Sequence, residues 1–368
     1  MLELLGEAFF VTAIGFGGGF MLGLAARLGR FCTLGAIEDL LYGGNGQRLR
    51  MWGVAIGMAV LLSFGAAGMG WFSPDQSFYL SQPGSMLGAV IGGLVFGYGM
   101  ALAGNCGFGA LARLGGGDLR SFVIVLVMGL SSYVALSGPL ARLRVSLFSS
   151  ASFDDATTLS SMAQSAAQLT GIGTVPIGLA TGLLILTISL LWRRHERPVS
   201  AHIQRPASMR EPLLWGSVVG LAIASGWVGM QWVSEHGFGA HNIVSHTFSA
   251  PIGETMLYAM TSSGGMPGAG PGFGVGSVFG VLAGAFAGSI LKGHFRWEAC
   301  DDPRELRRQI TGAVLMGLGA VSAAGCSIGQ GVSAFSVLAW TAPLTLAAIW
   351  VGAAIGLRQL VTGFAPAA

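Results

Sequence analysis

The chain has 368 residues, of which 52% are hydrophobic and only 10% are charged, with a formal net charge of +3. A soluble domain carries roughly 25% charged residues, and disordered proteins are poor in apolar residues. A secreted disulfide scaffold is excluded because the four cysteines are sparse in 368 residues and lie far apart. The small, dispersed charge does not indicate nucleic-acid binding. The composition therefore predicts an all-α polytopic membrane protein, and the 61 glycines suit closely packed helices.

Nine apolar stretches are long enough to cross a bilayer, which takes about 20 residues. They are Glu7–Leu28, Met51–Trp71, Met86–Gly104, Ser121–Gly138, Gly171–Trp192, Pro212–Ser234, Gly272–Leu291, Ile310–Ala324 and Ala339–Leu357. The charged residues before the first apolar run are Glu3 and Glu7, both negative. A cleaved signal peptide would begin with positive charge, so we expect none. The Asp-, Ser- and Thr-rich stretch Ser146–Leu169 predicts a surface loop with room for a short amphipathic helix.

The distribution of Lys and Arg predicts the orientation, because these residues concentrate on the cytoplasmic side. The linker Arg193–Glu211 holds five arginines and is placed inside. Counting spans outward from it leaves every basic residue inside except Arg142 and Arg144. The sequence thus predicts an N-terminus outside and a C-terminus in the cytoplasm.

An internal repeat divides the chain into two halves. Cys106 and Cys326 each begin a Cys-x-apolar-Gly pattern, and a Glu-x-x-Leu-Tyr pattern begins at both Glu38 and Glu254, at nearly the same offset. The halves are 1–140 and 212–368, joined by 141–211, which holds an outside loop, one span and the basic linker. A single joining span makes the second half enter the membrane from the opposite side, so the sequence predicts an inverted-topology repeat of the kind found in secondary transporters.

Three cysteines follow a span end and begin a short Gly-flanked segment: Cys32, Cys106 and Cys326. We interpret Thr33–Tyr42, Gly107–Leu114 and Ser327–Ala339 as re-entrant half-helices whose N-termini meet at a central waist, since irregular backbone at membrane depth requires protein or a cavity around it. Helix N-termini attract anions, and thiols add polarisable, weakly donating groups. This combination favours a small sulfur-containing anion, although small apolar filling remains the ordinary role of a membrane cysteine.

Other polar residues near these segments are candidate supporting groups for a substrate. They are Arg30, Glu38, Asn105, Gly107, Glu254, Gly325, Ser327 and Gln330. The two glutamates are either functional intramembrane carboxylates or residues of the membrane surface. Cys300 lies in a charged loop outside the repeat and is interpreted as filler or solvent-exposed.

A metal site is the rival interpretation of the three cysteines, because soft thiolates select Zn²⁺ and Cu⁺. The sequence has no Cys-x-x-Cys and no histidine near any of the three. His236, His241 and His246 are spaced by five rather than the three or four that suit a helical metal site, and are interpreted as loop or interface residues. We expect no metal and no cofactor. The sequence also lacks a Gly-x-x-x-x-Gly-Lys-Ser/Thr loop, so ATP is not expected to power the chain.

The cysteine segments resemble the three motifs of the YeeE/YedE family. The matching stretches are Arg30-Phe31-Cys32, Gly104-Asn105-Cys106-Gly107 with Gly109, and Ala324-Gly325-Cys326-Ser327-Ile328-Gly329 with Gly331. The resemblance covers nearly the whole chain, and one departure is Asn105, where a glycine is expected.

This resemblance implies a bacterial inner-membrane protein of sulfur transport, shaped as an hourglass of two inverted halves. It implies uptake of thiosulfate, relayed by S–H···S hydrogen bonds through Cys32, Cys106 and Cys326, and a small soluble sulfur carrier of the TusA type as a cytoplasmic partner. Family members linked to selenium or other sulfur species leave the substrate open.

The residues leave two other classes of function open. One is a membrane-embedded sulfurtransferase or thiol oxidoreductase, in which a cysteine acts as nucleophile. The other is a metal-binding sensor or exporter. The expectation from the sequence is a permease rather than an enzyme.

Overall fold

A computed structural model of the chain describes residues 6–81, 84–149, 161–191, 209–237, 241–262, 271–299 and 302–363. Within these ranges the backbone is almost entirely helical, and β-structure is limited to three isolated bridges. The predicted all-α class is confirmed.

The described α-helices are numbered in chain order. They are α1 (Glu7–Leu28), α2 (Thr33–Glu38), α3 (Gln47–Gly68), α4 (Phe78–Ser81), α5 (Met86–Ala103), α6 (Gly107–Gly115), α7 (Leu119–Leu136), α8 (Leu140–Ser149), α9 (Met162–Thr170), α10 (Thr174–Leu191), α11 (Arg210–His236), α12 (Ala250–Ser262), α13 (Phe273–Leu291), α14 (Pro303–Ser322) and α15 (Thr341–Thr362). Two π-helical segments, Asp39–Gly43 and Gly329–Ala334, extend the segments that follow Cys32 and Cys326.

Among the described residues, eight helical segments are long and apolar enough to cross a membrane, and they coincide with eight of the nine predicted spans. The ninth prediction, Ile310–Ala324, falls within α14. The first two turns of α14 carry Arg304, Glu305, Arg307 and Arg308, so its apolar part is shorter than a full span. This helix nevertheless packs along α5 and α7. The chain is therefore a multi-pass helical membrane protein.

Four long helices of the first predicted half each pack on a long helix of the second. Helix α1 of the first half lies on α13 of the second, and α3 lies on α11; likewise α5 lies on α15 and α7 on α14. Each short helix contacts one helix of its own half and one of the other: α2 contacts α3 and α15, and α12 contacts α13 and α7. This pairing is compatible with the internal repeat.

Glycines form the contact between α1 and α13. A Cβ atom added at any of six glycines would collide with a backbone carbonyl oxygen of the facing helix: Gly15, Gly19 and Gly23 on α1, and Gly276, Gly280 and Gly284 on α13. On each helix the glycines recur every fourth residue and so share one face. This spacing lets the two backbones touch, as small residues do between membrane helices. Part of the high glycine content is thus explained by this seam.

We expect Gly19→Ala to destabilise the protein and Gly17→Ala to leave it unchanged. The methyl at residue 19 would meet the Ser277 carbonyl, whereas residue 17 on the same helix has open space around it. Overpacking of this kind costs about 1–3 kcal/mol. The measurement is the midpoint of thermal unfolding of both variants in the same detergent. Equal midpoints would show that the helices separate easily and that the seam is not close-packed.

Candidate functional site

Each of the three candidate cysteines follows a sharp turn with a left-handed residue two positions before it. These residues are Arg30 (φ 56°), Gly104 (φ 74°) and Ala324 (φ 54°). Such a residue ends a helix by turning the next N–H groups back toward its last carbonyls. Only glycine adopts this conformation freely, and other residues incur a cost of roughly 1–2 kcal/mol. The chain thus leaves a long helix and starts a short one within a few residues.

The thiols of Cys32 and Cys106 cap the short helices that they precede. Cys32 Sγ accepts a hydrogen bond from the Gly35 N–H at 3.5 Å, and Cys106 Sγ accepts one from the Gly109 N–H at 3.3 Å. An N-terminal side chain normally satisfies one of the free N–H groups in this way, most often through an oxygen of Ser, Thr, Asp or Asn. The positive end of each helix dipole therefore lies at a sulfur atom.

The Cys326 thiol receives its hydrogen bond from a distant segment of the chain rather than from the helix that follows it. Its Sγ accepts a hydrogen bond from the Phe248 N–H at 3.4 Å and lies 3.7 Å from Thr247 Oγ1. Cys106 and Cys326 are each 1% exposed, and Cys32 is partly exposed. The Cys106 thiol is near enough to both other thiols to interact with each electrostatically, and we call the three cysteines the thiol cluster.

A positively charged cavity of about 320 Å³ reaches the Cys32 side of this cluster, and we call it the basic cavity. Its cationic residues are Arg27, Arg30, Arg48, Arg113 and Lys292; Cys32, Asn105 and Gly109 line it as well. Among the described residues that line it, only Glu38 is acidic. The cavity therefore favours an anion.

Two cations of the basic cavity are held by hydrogen bonds to neighbouring helices. Lys292 Nζ donates to the Leu28 carbonyl at 2.7 Å, and Arg27 Nε donates to Ser289 Oγ at 2.7 Å. Burial, followed by the charge of Arg30, lowers the pKa of Lys292 below its ordinary value. Mutual repulsion of these cations is relieved when an anion enters.

A second cavity, of about 400 Å³, reaches the Cys326 side of the cluster, and we call it the hydroxyl cavity. The hydroxyl groups of Tyr79, Ser245, Thr247 and Ser249 line it, together with Arg144, Glu254 and Gly325. Glu38 and Glu254, which the repeat pairs in sequence, thus line different cavities.

The two cavities lie at opposite ends of α13. Phe273 in its first turn lines the hydroxyl cavity, and Ser289 in its last turns lines the basic cavity. Sixteen residues of helix separate these positions, which corresponds to about 24 Å along the axis. The Cys106 thiol is buried and interacts with Cys32, which lines the basic cavity, and with Cys326, whose neighbour Gly325 lines the hydroxyl cavity.

Buried polar atoms without a hydrogen-bond partner adjoin each thiol in the chain. They are Thr33 Oγ1, Asn105 Oδ1 and Ser327 Oγ, which follow Cys32, precede Cys106 and follow Cys326. The Ser327 hydroxyl lies near the Cys106 thiol without a well-directed bond to it. Because an unpaired buried polar group costs about 1–3 kcal/mol, the cluster favours a polar occupant that would pair with these atoms.

Two of the supporting residues predicted from the sequence have structural contacts. Gln330 Nε2 donates to the carbonyls of Ala323 and Ala324, at 2.9 and 3.3 Å, and so braces the turn before Cys326. Gly107 leaves room for Met128, which a Cβ there would strike. A direct role for either in substrate binding stays a prediction.

The three histidines do not come together. His236 bonds to the Trp232 carbonyl, His241 pairs with Glu7 at 2.8 Å, and His246 is fully buried with its Nδ1 2.7 Å from Ser277 Oγ. Within the described ranges no group of three or more His, Cys, Asp or Glu side chains is placed to hold a metal ion. Cys300 lies outside the described residues.

The sequence did not indicate several residues of the two cavities. Lys292, Tyr79 and Thr247 approach the cysteines only through folding. A signal did exist for Thr247: the repeat aligns Phe31-Cys32 with Phe248-Ser249, which marks that segment as the counterpart of a cysteine turn.

Comparisons with known proteins agree on one family. A family model described as "Sulphur transport" matches residues 27–355. The chain is 26% identical over 352 residues to a protein of Spirochaeta thermophila named thiosulfate transporter TsuA, covering 89% of this chain and 93% of that one. It is also 26% identical over 340 residues to the thiosulfate transporter TsuA of Escherichia coli K12, covering 88% of this chain and 87% of that one.

Proposed function

The chain belongs to the sulphur transport family, and from this premise we propose that it is a permease that imports thiosulfate through a constriction lined by Cys32, Cys106 and Cys326. The observation that carries the proposal is that Cys32 lines the cavity at one end of α13, whereas Gly325, next to Cys326, lines the cavity at the other end. The relatives named as thiosulfate transporters span nearly the whole chain, which supports transport rather than catalysis.

Protonated thiols suit this substrate. Thiosulfate is a dianion with a terminal sulfur, and an S–H group is a weak donor that can approach a polarisable sulfur. A thiolate at about 4 Å would instead repel the dianion by several kcal/mol in a partly buried site. The substrate would pass from Cys326 to Cys106 to Cys32 by exchanging one S–H···S contact for the next.

We propose that the hydroxyl cavity opens outside and the basic cavity opens to the cytoplasm of a bacterial inner membrane. The positive residues of the basic cavity then follow the rule that Lys and Arg stay inside. This orientation puts the N-terminus outside and the C-terminus inside. We also propose that 1–140 and 212–368 are inverted halves joined through α10. The pairing of each long helix of the first half with one of the second supports this.

We further propose that a small soluble sulfur carrier of the TusA type meets the protein at the basic cavity. An anion that reaches this cavity lies beside Arg113 and Lys292, close to where a soluble protein could receive it. Thiosulfate transport itself does not depend on this partner in the proposed mechanism.

The proposal is tested by uptake of labelled thiosulfate in a bacterial strain that lacks its own thiosulfate transporters. Expression of the chain is expected to confer uptake that saturates with substrate, because the substrate binds within a limited site. Uptake no higher than in the empty-vector strain, with the protein present in the membrane at normal levels, would contradict the proposal.

A second candidate is a sulfurtransferase, and one observation favours it: helix N-termini stabilise a thiolate, and Cys106 lies at such a terminus. The Cys106 sulfur would attack the terminal sulfur of thiosulfate, form an S–S bond and release sulfite, leaving a persulfide on the protein. Intact-protein mass spectrometry after exposure to thiosulfate distinguishes the candidates. A permease keeps its mass, whereas the enzyme gains one sulfur atom.

A further inference from the structure

We propose that the Thr247 and Tyr79 hydroxyls form an oxyanion subsite next to Cys326, which binds the oxygen end of the substrate while the thiol contacts its sulfur end. This inference rests on the proposed function and assigns the recognition of the sulfonate group to particular donors. It concerns the hydroxyl cavity, through which the substrate is proposed to enter.

The donors converge on one small volume beside Cys326. Thr247 Oγ1 lies 3.7 Å from the Cys326 sulfur, and the next N–H, of Phe248, points at the same sulfur. The Tyr79 hydroxyl lies beside Thr247, and both residues line the hydroxyl cavity. If the terminal sulfur of thiosulfate contacts Cys326, the oxygens of the same anion therefore lie near these two O–H groups.

Gly329 keeps this volume open. A Cβ atom at residue 329 would collide with Thr247 Oγ1 and would lie 3.0 Å from the Tyr79 hydroxyl. Gly109, the repeat counterpart, has no such neighbours: its nearest side-chain atoms, from Asn105 and Cys106, would be at ordinary contact distances of 3.5 and 3.6 Å. The surroundings of these two glycines thus differ, since the Thr247 and Tyr79 hydroxyls lie close to Gly329 and no hydroxyl group is among the near neighbours of Gly109.

Hydrogen bonds between the two donor segments, and from them to two further segments, fix the donors in place. The Phe78 N–H bonds to the Ile243 carbonyl at 2.9 Å, which ties the Tyr79 segment to the Thr247 segment. Ser333 Oγ donates to the His246 carbonyl at 2.6 Å, and the His246 ring bonds to Ser277. Donors held in this way keep their geometry when a substrate arrives, which is the requirement for selective binding of a polar group.

The chemistry of thiosulfate matches this arrangement. Its two ends differ, since one is a polarisable sulfur and the other carries three hydrogen-bond-accepting oxygens. Hydroxyl groups donate strongly to charged oxygens and thiols only weakly. A subsite with both kinds of donor orients the anion so that its sulfur leads toward Cys106.

The test compares thiosulfate uptake kinetics in wild-type protein, Thr247→Val and Tyr79→Phe. Each variant removes one oxygen and nearly preserves shape, so we expect KM to rise about tenfold with kcat nearly unchanged, the loss of one hydrogen bond to a charged group. Thr247→Ser restores the hydroxyl and is expected to restore KM. Thr181→Val is the matched control, because the Thr181 hydroxyl bonds within α10 to the Ile177 carbonyl, away from both cavities.

The outcomes separate this inference from the proposed function. Absence of thiosulfate uptake by the wild-type protein refutes the proposed function, and the subsite with it. Wild-type uptake together with unchanged KM in both variants overturns the subsite alone. If Thr247→Ser keeps the raised KM of Thr247→Val, the effect comes from packing, and the subsite is again overturned.

Discussion

Replacement of Cys106 by serine is expected to reduce thiosulfate uptake strongly while leaving the protein folded. Serine is a better helix N-cap than cysteine, so the bond to the Gly109 N–H is retained and α6 keeps its start. The change removes only the soft, weakly donating sulfur from a buried position between the other two thiols. Uptake should fall at least tenfold, measured as initial rate per amount of membrane-inserted protein, with an unchanged midpoint of thermal unfolding.

Cys32→Ala and Cys326→Ala are expected to reduce uptake strongly as well, since each thiol is one step of the proposed relay. Cys300→Ala is the matched control and is expected to keep the wild-type rate, because that cysteine stands outside the three motifs. Normal uptake by a variant that lacks all three motif cysteines would end the relay hypothesis.

Reversal of one charge in the basic cavity is the second change with a large expected effect. Arg113 lines this cavity and is exposed, with Arg27 and Glu38 as charged neighbours. Two unit charges about 6 Å apart interact by about 3 kcal/mol at an effective dielectric constant near 20. Because thiosulfate carries two charges, Arg113→Glu should weaken its retention in the cavity at least tenfold, and Arg113→Gln should have an intermediate effect.

The measurement is the binding of labelled thiosulfate to purified protein at several salt concentrations. The matched control is Arg358→Glu, which makes the same charge change at an exposed position of α15 outside the cavity. An equal loss in both variants would assign the effect to total charge rather than to the cavity. Equal affinity of Arg113→Glu and the wild-type protein would refute a role for the cavity in anion binding.

The elements set by local sequence could be predicted well. Apolar length located eight of the spans, and the short helices after Cys32 and Cys106 begin where Gly-flanked cysteines indicated. These features depend on runs of neighbouring residues, whose hydrophobicity and turn preferences act locally. The mixed character of α14 was harder to predict, because its charged first turns, with Arg304 and Arg307 exposed, continue without a break into the apolar part that packs along α5 and α7.

The composition of the two cavities could not be predicted in the same way. Lys292 reaches the basic cavity because α13 runs beside α1, and Tyr79 reaches the hydroxyl cavity because its segment bonds to Ile243. Both depend on contacts between distant parts of the chain, for which hydropathy carries no information. The π-helical segment Gly329–Ala334 likewise gave no signal in the apolar pattern.

The left-handed residues before the three cysteines bear on how fast and how selectively the protein can work. Each cysteine stands only three or four residues beyond the last residue of a long helix, with the left-handed residue in between. In the proposed permease, a thiol held this close to a packed helix end is expected to move little unless the helix moves as well. In the proposed permease, passage is therefore expected through an aperture of fixed width rather than by a large rocking motion of the halves. Such a pore should show a shallow dependence of rate on temperature. It should also exclude anions by diameter, so that bulkier sulfur species are rejected however well they bind thiols.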